Sequence, residues 1–308
     1  MKTRGALLAV TTIASLGMAE AVLRAFDLPH FDACQTTPDY AIPDRQLGFR
    51  GKPDGEVGSV QLNEQGWRGP VLASPKPVGE QRILFLGDSS CWGVGVELPE
   101  TFAARTADVA GSQLLLGAFP GYSSYHSAVV LDRLLPLEPD LVVFYVGARN
   151  DGTRARYFSD ADIPKRRARL DAAWHQVRLL RLLEVAADRS YRSLFRKLRS
   201  REARSRVPPE IFRSNLTRML NRLDRAAIRS LIVIPPLSTS FERAQPQMRR
   251  YREILVEVAA DYRIPTVSAD TRFAAVEEDR LYFEDGYHLR AQGHAVLAEE
   301  ILKLLPTR

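Results

Sequence analysis

The chain carries short, continuous apolar runs separated by segments in which apolar residues recur at helical spacing. Arg82-Ile83-Leu84-Phe85-Leu86 is the first clear run and ends in Gly87-Asp88. Unbroken apolarity over so few residues predicts a strand buried on both faces. Similar runs follow at Gln113 to Leu116, Leu141 to Val146, Ser230 to Ile234 and Ile264 to Val267. Helical periodicity fills the intervals over 100–110, 123–135, 209–227 and 245–261, and a final helix is predicted over 291–304. Strands alternating with helices predict an α/β fold, a doubly wound parallel sheet of about five strands flanked by helices. In such sheets ligands bind beyond the carboxyl ends of the strands, which is where candidate chemistry belongs.

Three segments depart from this alternation. Residues 152–206 hold amphipathic, arginine-rich helical patterns, clearest over Trp174 to Ala187 and Arg189 to Ser200, and no strand pattern. Leu179, Leu180, Leu182 and Leu183 recur closely enough to bury one face, which predicts a helical cap inserted into the main domain, residues 81–308. Residues 26–80 are rich in Pro, Gly, Asp and Asn; turns at Lys52-Pro53-Asp54-Gly55 and Asn63-Glu64-Gln65-Gly66 predict a lead-in of loops and hairpins packed on that domain. In residues 1–25, Lys2 and Arg4 precede an apolar stretch over 5–19, and Ala19-Glu20-Ala21 supplies small residues for cleavage. This is the pattern of a signal peptide, or of a short membrane anchor if uncleaved. Either leaves the bulk of the chain outside the cytoplasm, periplasmic or associated with the membrane through its N-terminal segment.

Composition narrows the classes further. Of 308 residues, 45% are hydrophobic and 26% charged, ordinary values for a folded globular chain. The net charge of +6 is concentrated between Arg154 and Arg206. No zinc spacing, recognition helix or RNP-like aromatic pattern accompanies it, so it is expected to be a solvated basic face with no nucleic-acid partner. Cys34 and Cys91 are too few for a metal cluster. They have the option of pairing in an exported chain, although Cys91, just past a strand end, is expected to be a small buried residue.

The strand ends carry the candidate chemistry. Gly87-Asp88-Ser89-Ser90 puts Ser89 on a tight turn at the rim of the sheet. Asp285-Gly286-Tyr287-His288, just before the final helix, spaces a carboxylate so that it reaches one imidazole nitrogen and leaves the other for a serine. His294 lies inside the final helix and is expected to be a packing or solvent-facing residue. Gly121, in the loop after the second strand, can bring its N–H close to a substrate; Asn150, after the third, can donate from its side chain to the same oxygen.

Serine, glycine, asparagine and Asp-x-x-His in this order resemble the SGNH (GDSL-like) hydrolase superfamily over residues 82–305. The resemblance implies a flavodoxin-like fold and a serine esterase with Ser89 as nucleophile, His288 as base and Asp285 as its orienting acid. It implies an oxyanion hole from Ser89, Gly121 and Asn150, and no metal or organic cofactor. The substrate class it implies is a small-molecule, carbohydrate or lipid ester, with Asp88, Tyr122 and Arg149 expected to contact it. Leu62-Asn63-Glu64-Gln65-Gly66-Trp67-Arg68-Gly69 is similar to a hairpin that precedes the catalytic domain in exported bacterial members. Two positions depart from the pattern: Leu116 stands where an asparagine is usual, and Gly147-Ala148-Arg149-Asn150-Asp151 is one residue longer than the usual Gly-x-Asn-Asp. The same residues would also serve an O-acyltransferase acting on an exported polysaccharide, or a binding protein on a decayed hydrolase scaffold.

Overall fold

A computed structural model describes residues 2–25, 40–57, 60–153, 159–163, 177, 179, 180, 182 and 205–305. Cys34 and most of the expected cap, including the segment Arg189 to Ser200, lie outside the described residues. Of the expected helix Trp174 to Ala187, four residues are described: Leu179, Leu180 and Leu182 are helical and Val177 is not, and Leu180 and Leu182 are exposed rather than buried. The described residues fall into two compact units. One holds residues 2–25, 43–49, 162–163 and the described positions between 177 and 182; the other holds 40–42, 50–57, 60–153, 159–161 and 205–305.

In the first unit, helix α1 (Lys2–Ala25) carries an Arg24–Glu20 ion pair at 2.8 Å, and Glu20 also accepts the Leu179 N–H at 2.9 Å. No described helix is long and apolar enough to cross a membrane.

Early in the chain come two short strand pairs: β1 (Ala41–Asp44) with β2 (Gly48–Gly51), and β3 (Glu56–Val57) antiparallel to β4 (Val60–Gln61).

The second unit is built on a five-stranded sheet in the order β6-β5-β7-β8-β9, parallel throughout. The strands are β5 (Arg82–Gly87), β6 (Gln113–Ala118), β7 (Leu141–Tyr145), β8 (Arg229–Ile234) and β9 (Thr266–Ser268). Every residue of β5 and β7 is buried, so both faces of the sheet are covered. The cover comes from two groups of helices. After the one-turn α2 (Ser89–Trp92), α3 (Phe102–Val109) packs against the final helix, Ala291–Leu302, while α4 (Ser124–Leu134) packs against α5 (Pro209–Arg225), and α5 against the helix Met248–Tyr262. The chain leaves β5 for β6 on one side and returns to β7 on the other, so the strand order reverses at β5. That reversal opens a crevice at the carboxyl edge.

Two boundaries differ from expectation for local reasons. The last strand begins at Thr266 rather than Ile264, because the Ile264 N–H is still spent on Ala259 O at the end of the preceding helix and Pro265 has no N–H. The helix expected from 245 begins at Met248, after Pro246. Leu116, at the position where an asparagine is usual in the family pattern, is a buried strand residue paired in register with Phe85. Cys91 is buried with a free thiol.

Phe102 shows how the core supports the crevice. Its ring is fully buried and meets those of Phe85, Tyr145 and His294 at centroid distances of 5.9, 5.1 and 5.5 Å. Phe102→Ala is expected to cost ~3–5 kcal/mol of unfolding free energy in urea titration, with little change in the denaturant slope. A loss below about 1 kcal/mol would contradict this packing.

Candidate active site

The turn that carries Ser89 is dictated by close approach. A Cβ on Gly87 would lie 2.4 Å from Cys91 Cβ and 2.6 Å from Tyr145 O, so the strand can turn here only with glycine. Asp88 then caps the one-turn helix Ser89–Trp92, its Oδ1 accepting the Ser90 N–H at 2.9 Å. Ser89 begins that turn, and its own N–H is one of the groups that a helix start leaves without an internal partner.

The second arm comes from the loop before the final helix. Gly286 sits at φ 75° with its carbonyl accepting from Ser238 N at 2.9 Å, and a Cβ there would meet Ser238 Oγ at 2.2 Å. The turn lets Asp285 Oδ1 accept the N–H groups of Tyr287 and His288 at 3.2 and 3.0 Å. Asp285 Oδ2 lies 2.5 Å from His288 Nδ1, and His288 Nε2 lies 2.7 Å from Ser89 Oγ. The turn is tied back to the helix Ser89–Trp92 by Ser90 Oγ, which donates to Tyr287 O at 3.1 Å.

These contacts set the electrostatics. Burial lowers the His288 pKa, against the opposing pull of Asp285, so the ring is neutral at neutral pH and can accept a proton. Burial pushes the Asp285 carboxyl up, but the hydrogen bonds from the His288 backbone, the His288 ring and the Tyr287 backbone outweigh it and leave the carboxyl below its ordinary value. His294 is fully buried, accepts the Phe102 N–H on Nδ1 at 3.1 Å, and is pushed down to about 3 chiefly by burial. It is the packing residue of the pair.

Ser89, Gly121, Arg149, Asn150 and His288 line one cavity of about 590 Å³, with Tyr40, Trp92, Val94 and Val96 among its apolar walls. Among the described residues the Gly121 N–H has no acceptor, and the Asn150 amide donates once, to Tyr122 O at 2.8 Å, leaving one N–H. The sequence expectation for Asp88 and Tyr122 is corrected here. Neither lines the cavity. Tyr122 is fully buried with its ring stacked on His126 at 4.8 Å, because its backbone carbonyl, rather than its side chain, faces Asn150. Asp88 is buried as a helix cap and pushed up to about 7, first by burial.

A buried polar layer beneath the cavity carried no local sequence signal. Ser123 Oγ donates to Asp160 at 2.7 Å and lies 2.9 Å from His126 Nδ1. Arg206 pairs with Asp160 at 2.9 Å and donates to Gly121 O at 2.8 Å, fixing the loop that presents the Gly121 N–H. Beside it, the Ser124 hydroxyl donates to Asp151 at 2.5 Å; Asp151 is pushed up to about 6, mainly by burial. Arg68, in the lead-in, is also buried and donates to Trp92 O, Gly93 O and Val96 O at 2.7, 2.8 and 2.6 Å, bracing the cavity wall. Among the described residues no group of three or more His, Cys, Asp or Glu is placed to hold a metal ion.

The sequence pattern of the GDSL-like Lipase/Acylhydrolase family matches residues 85–296, well over half of the chain. The chain belongs to this family. It is a serine ester hydrolase of the SGNH/GDSL type. Solved structures similar to it include a lipase/acylhydrolase from Enterococcus faecalis, 17% identical, covering 72% of this chain and 94% of that one, with a TM-score of 0.48. A GDSL-like lipase from Bacteroides thetaiotaomicron is 16% identical, covers 75% and 90% of the two chains, and has a TM-score of 0.47. A lipolytic G-D-S-L family member from Veillonella parvula is 12% identical, covers 73% and 98%, and has a TM-score of 0.48. A search of curated proteins found no match.

Within this family member the state of His288 makes a testable statement about pH. Only the neutral ring can accept the Ser89 proton, and burial disfavours the imidazolium, so activity persists to lower pH than an ordinary histidine allows. The acid limb of the kcat/KM profile for a neutral ester is expected to have its midpoint below 6.5, with activity lost as pH falls through it. A midpoint above that value would contradict the burial of the base.

Proposed function

We propose that the protein hydrolyses carboxylic esters, O-acetyl esters among them, by two-step acyl transfer through Ser89. One observation carries this reading: the continuous chain from Asp285 through His288 to Ser89, with contacts of 2.5 and 2.7 Å. Ser89 Oγ attacks the ester carbonyl as its proton passes to His288 Nε2, and Asp285 holds the imidazolium that forms. The tetrahedral oxyanion is received by the N–H groups of Ser89 and Gly121 and the remaining N–H of Asn150. Each such donor is typically worth ~10²–10³ in rate. His288 then gives its proton to the leaving alcohol. Water enters, loses a proton to His288, and releases the acid while Ser89 recovers its proton.

We also propose that the catalytic unit acts outside the cytoplasm. Lys2, Arg4 and the apolar residues 5–19 support this through their likeness to an export signal.

A fluorophosphonate probe is expected to label the purified protein on Ser89, since a serine paired with a neutral base attacks such electrophiles. Ser89→Ala should abolish labelling and lower kcat on para-nitrophenyl acetate by ~10⁴-fold or more, with the circular dichroism spectrum unchanged. An adduct on Ser90, or labelling that survives the substitution, would overturn the assignment.

A further inference from the structure

Ester hydrolysis by Ser89, His288 and Asp285 leaves Arg149 without a task, although its side chain lines the same cavity. Arg149 Nη1 donates to the Tyr287 hydroxyl at 2.6 Å, and its guanidinium lies over the Tyr287 ring at 4.6 Å. The partner is neutral: burial pushes the Tyr287 phenol up, so it carries no compensating charge. No carboxylate among the described residues forms an ion pair with Arg149, and a guanidinium has five N–H groups, of which this contact uses one. The half-buried cation therefore faces the cavity with most of its donors unspent.

The acids nearby do not cancel it. Glu97 lies at the exposed rim of the cavity, where solvent screens its carboxylate, and its charge acts on Arg68. Asp88 lies beneath the cavity, does not line it, and spends Oδ1 on the Ser90 N–H. Its carboxyl is pushed up to about 7, first by burial, and the opposing pull of Arg149 is the smallest of the influences on it.

We propose that Arg149 receives an anionic group of the substrate, so that preferred esters carry a carboxylate or phosphate close to the scissile carbonyl. This rests on the esterase reading above. The planar fork of a guanidinium matches either oxyanion in bidentate fashion. Stacking on Tyr287 fixes the fork before substrate arrives. Tyr287 also packs on His288, ring centroids 4.0 Å apart, so an anion held by Arg149 sits beside the catalytic base. A neutral ester would leave the cation desolvated and unpaired, which costs affinity.

The test compares matched esters that differ only in charge. On the acyl side the pair is the para-nitrophenyl monoester of glutarate beside para-nitrophenyl valerate; on the alcohol side it is para-acetoxybenzoate beside its methyl ester. In the unaltered protein the anionic member of at least one pair is expected to have a kcat/KM higher by ~10- to 100-fold. Arg149→Gln should bring that ratio to within a few-fold of unity, and Arg149→Lys, which keeps the charge but loses the fork, should give an intermediate ratio. The same ratio in Arg149→Gln and the unaltered protein, or a preference for the neutral member in both pairs, would overturn the proposal. Calorimetry on Ser89→Ala separates the two readings, since it reports binding without turnover. Tighter binding of para-acetoxybenzoate than of its methyl ester, lost when Arg149→Gln is added, supports the anion site even if no ester is hydrolysed and no probe labels Ser89. Equal binding of the anionic and neutral members in both pairs overturns it.

Discussion

The hydrogen bond between Ser89 Oγ and His288 Nε2 joins residues 199 positions apart, and most of the second unit can be read as the means of making it. A serine hydroxyl is a poor nucleophile unless a neutral base stands within hydrogen-bond reach. A carboxylate on its other nitrogen orients the imidazole but favours its protonation, and burial offsets that pull. A parallel sheet meets both demands at its carboxyl edge. β5 delivers Ser89 on a turn that only Gly87 permits, and the loop before the last helix delivers His288 already hydrogen-bonded to Asp285.

The same edge must also hold donors for an oxyanion, and here the support is indirect. Gly121 and Asn150 stand on separate loops, each fixed by what lies behind it. Arg206 holds the Gly121 carbonyl while pairing with Asp160; Tyr122 O takes one Asn150 N–H and so orients the other. Arg206 N donates to Thr153 O, so the residue that holds the Gly121 carbonyl is also joined to the loop that carries Asn150. Buried carboxylates beneath the site, Asp151 and Asp160, each accept from a serine at the start of α4, so the layer is polar but hydrogen-bonded.

Much of this was legible from the chain itself. Continuous apolar runs marked the buried strands because covering both faces of a sheet leaves no polar positions, and the Asp-x-x-His spacing marked the contact between Asp285 and His288 because its geometry is local. What failed was side-chain direction in loops. Asp88 and Tyr122 follow strand ends as Ser89 and Arg149 do, yet they point beneath the cavity, a choice settled by packing against Ser90 and His126 rather than by neighbours in sequence. The roles of Arg68 and Arg206 were invisible for a related reason. Each acts on backbone carbonyls far along the chain, Arg206 on Gly121 across 85 residues and Arg68 on Trp92 across 24. The start of β9 was misread because Ile264 is apolar like a strand residue but is claimed by the end of a helix.

The proposed mechanism passes a covalent acyl group through Ser89. The most direct measurement is acid quenching of the protein within milliseconds of mixing with para-nitrophenyl acetate, followed by peptide mapping by mass spectrometry. An acetyl group on Ser89 that forms with the burst of nitrophenol and disappears as substrate is exhausted is the expected result. Turnover at full rate with no acetylated peptide, or acetylation at Ser90, would contradict the account.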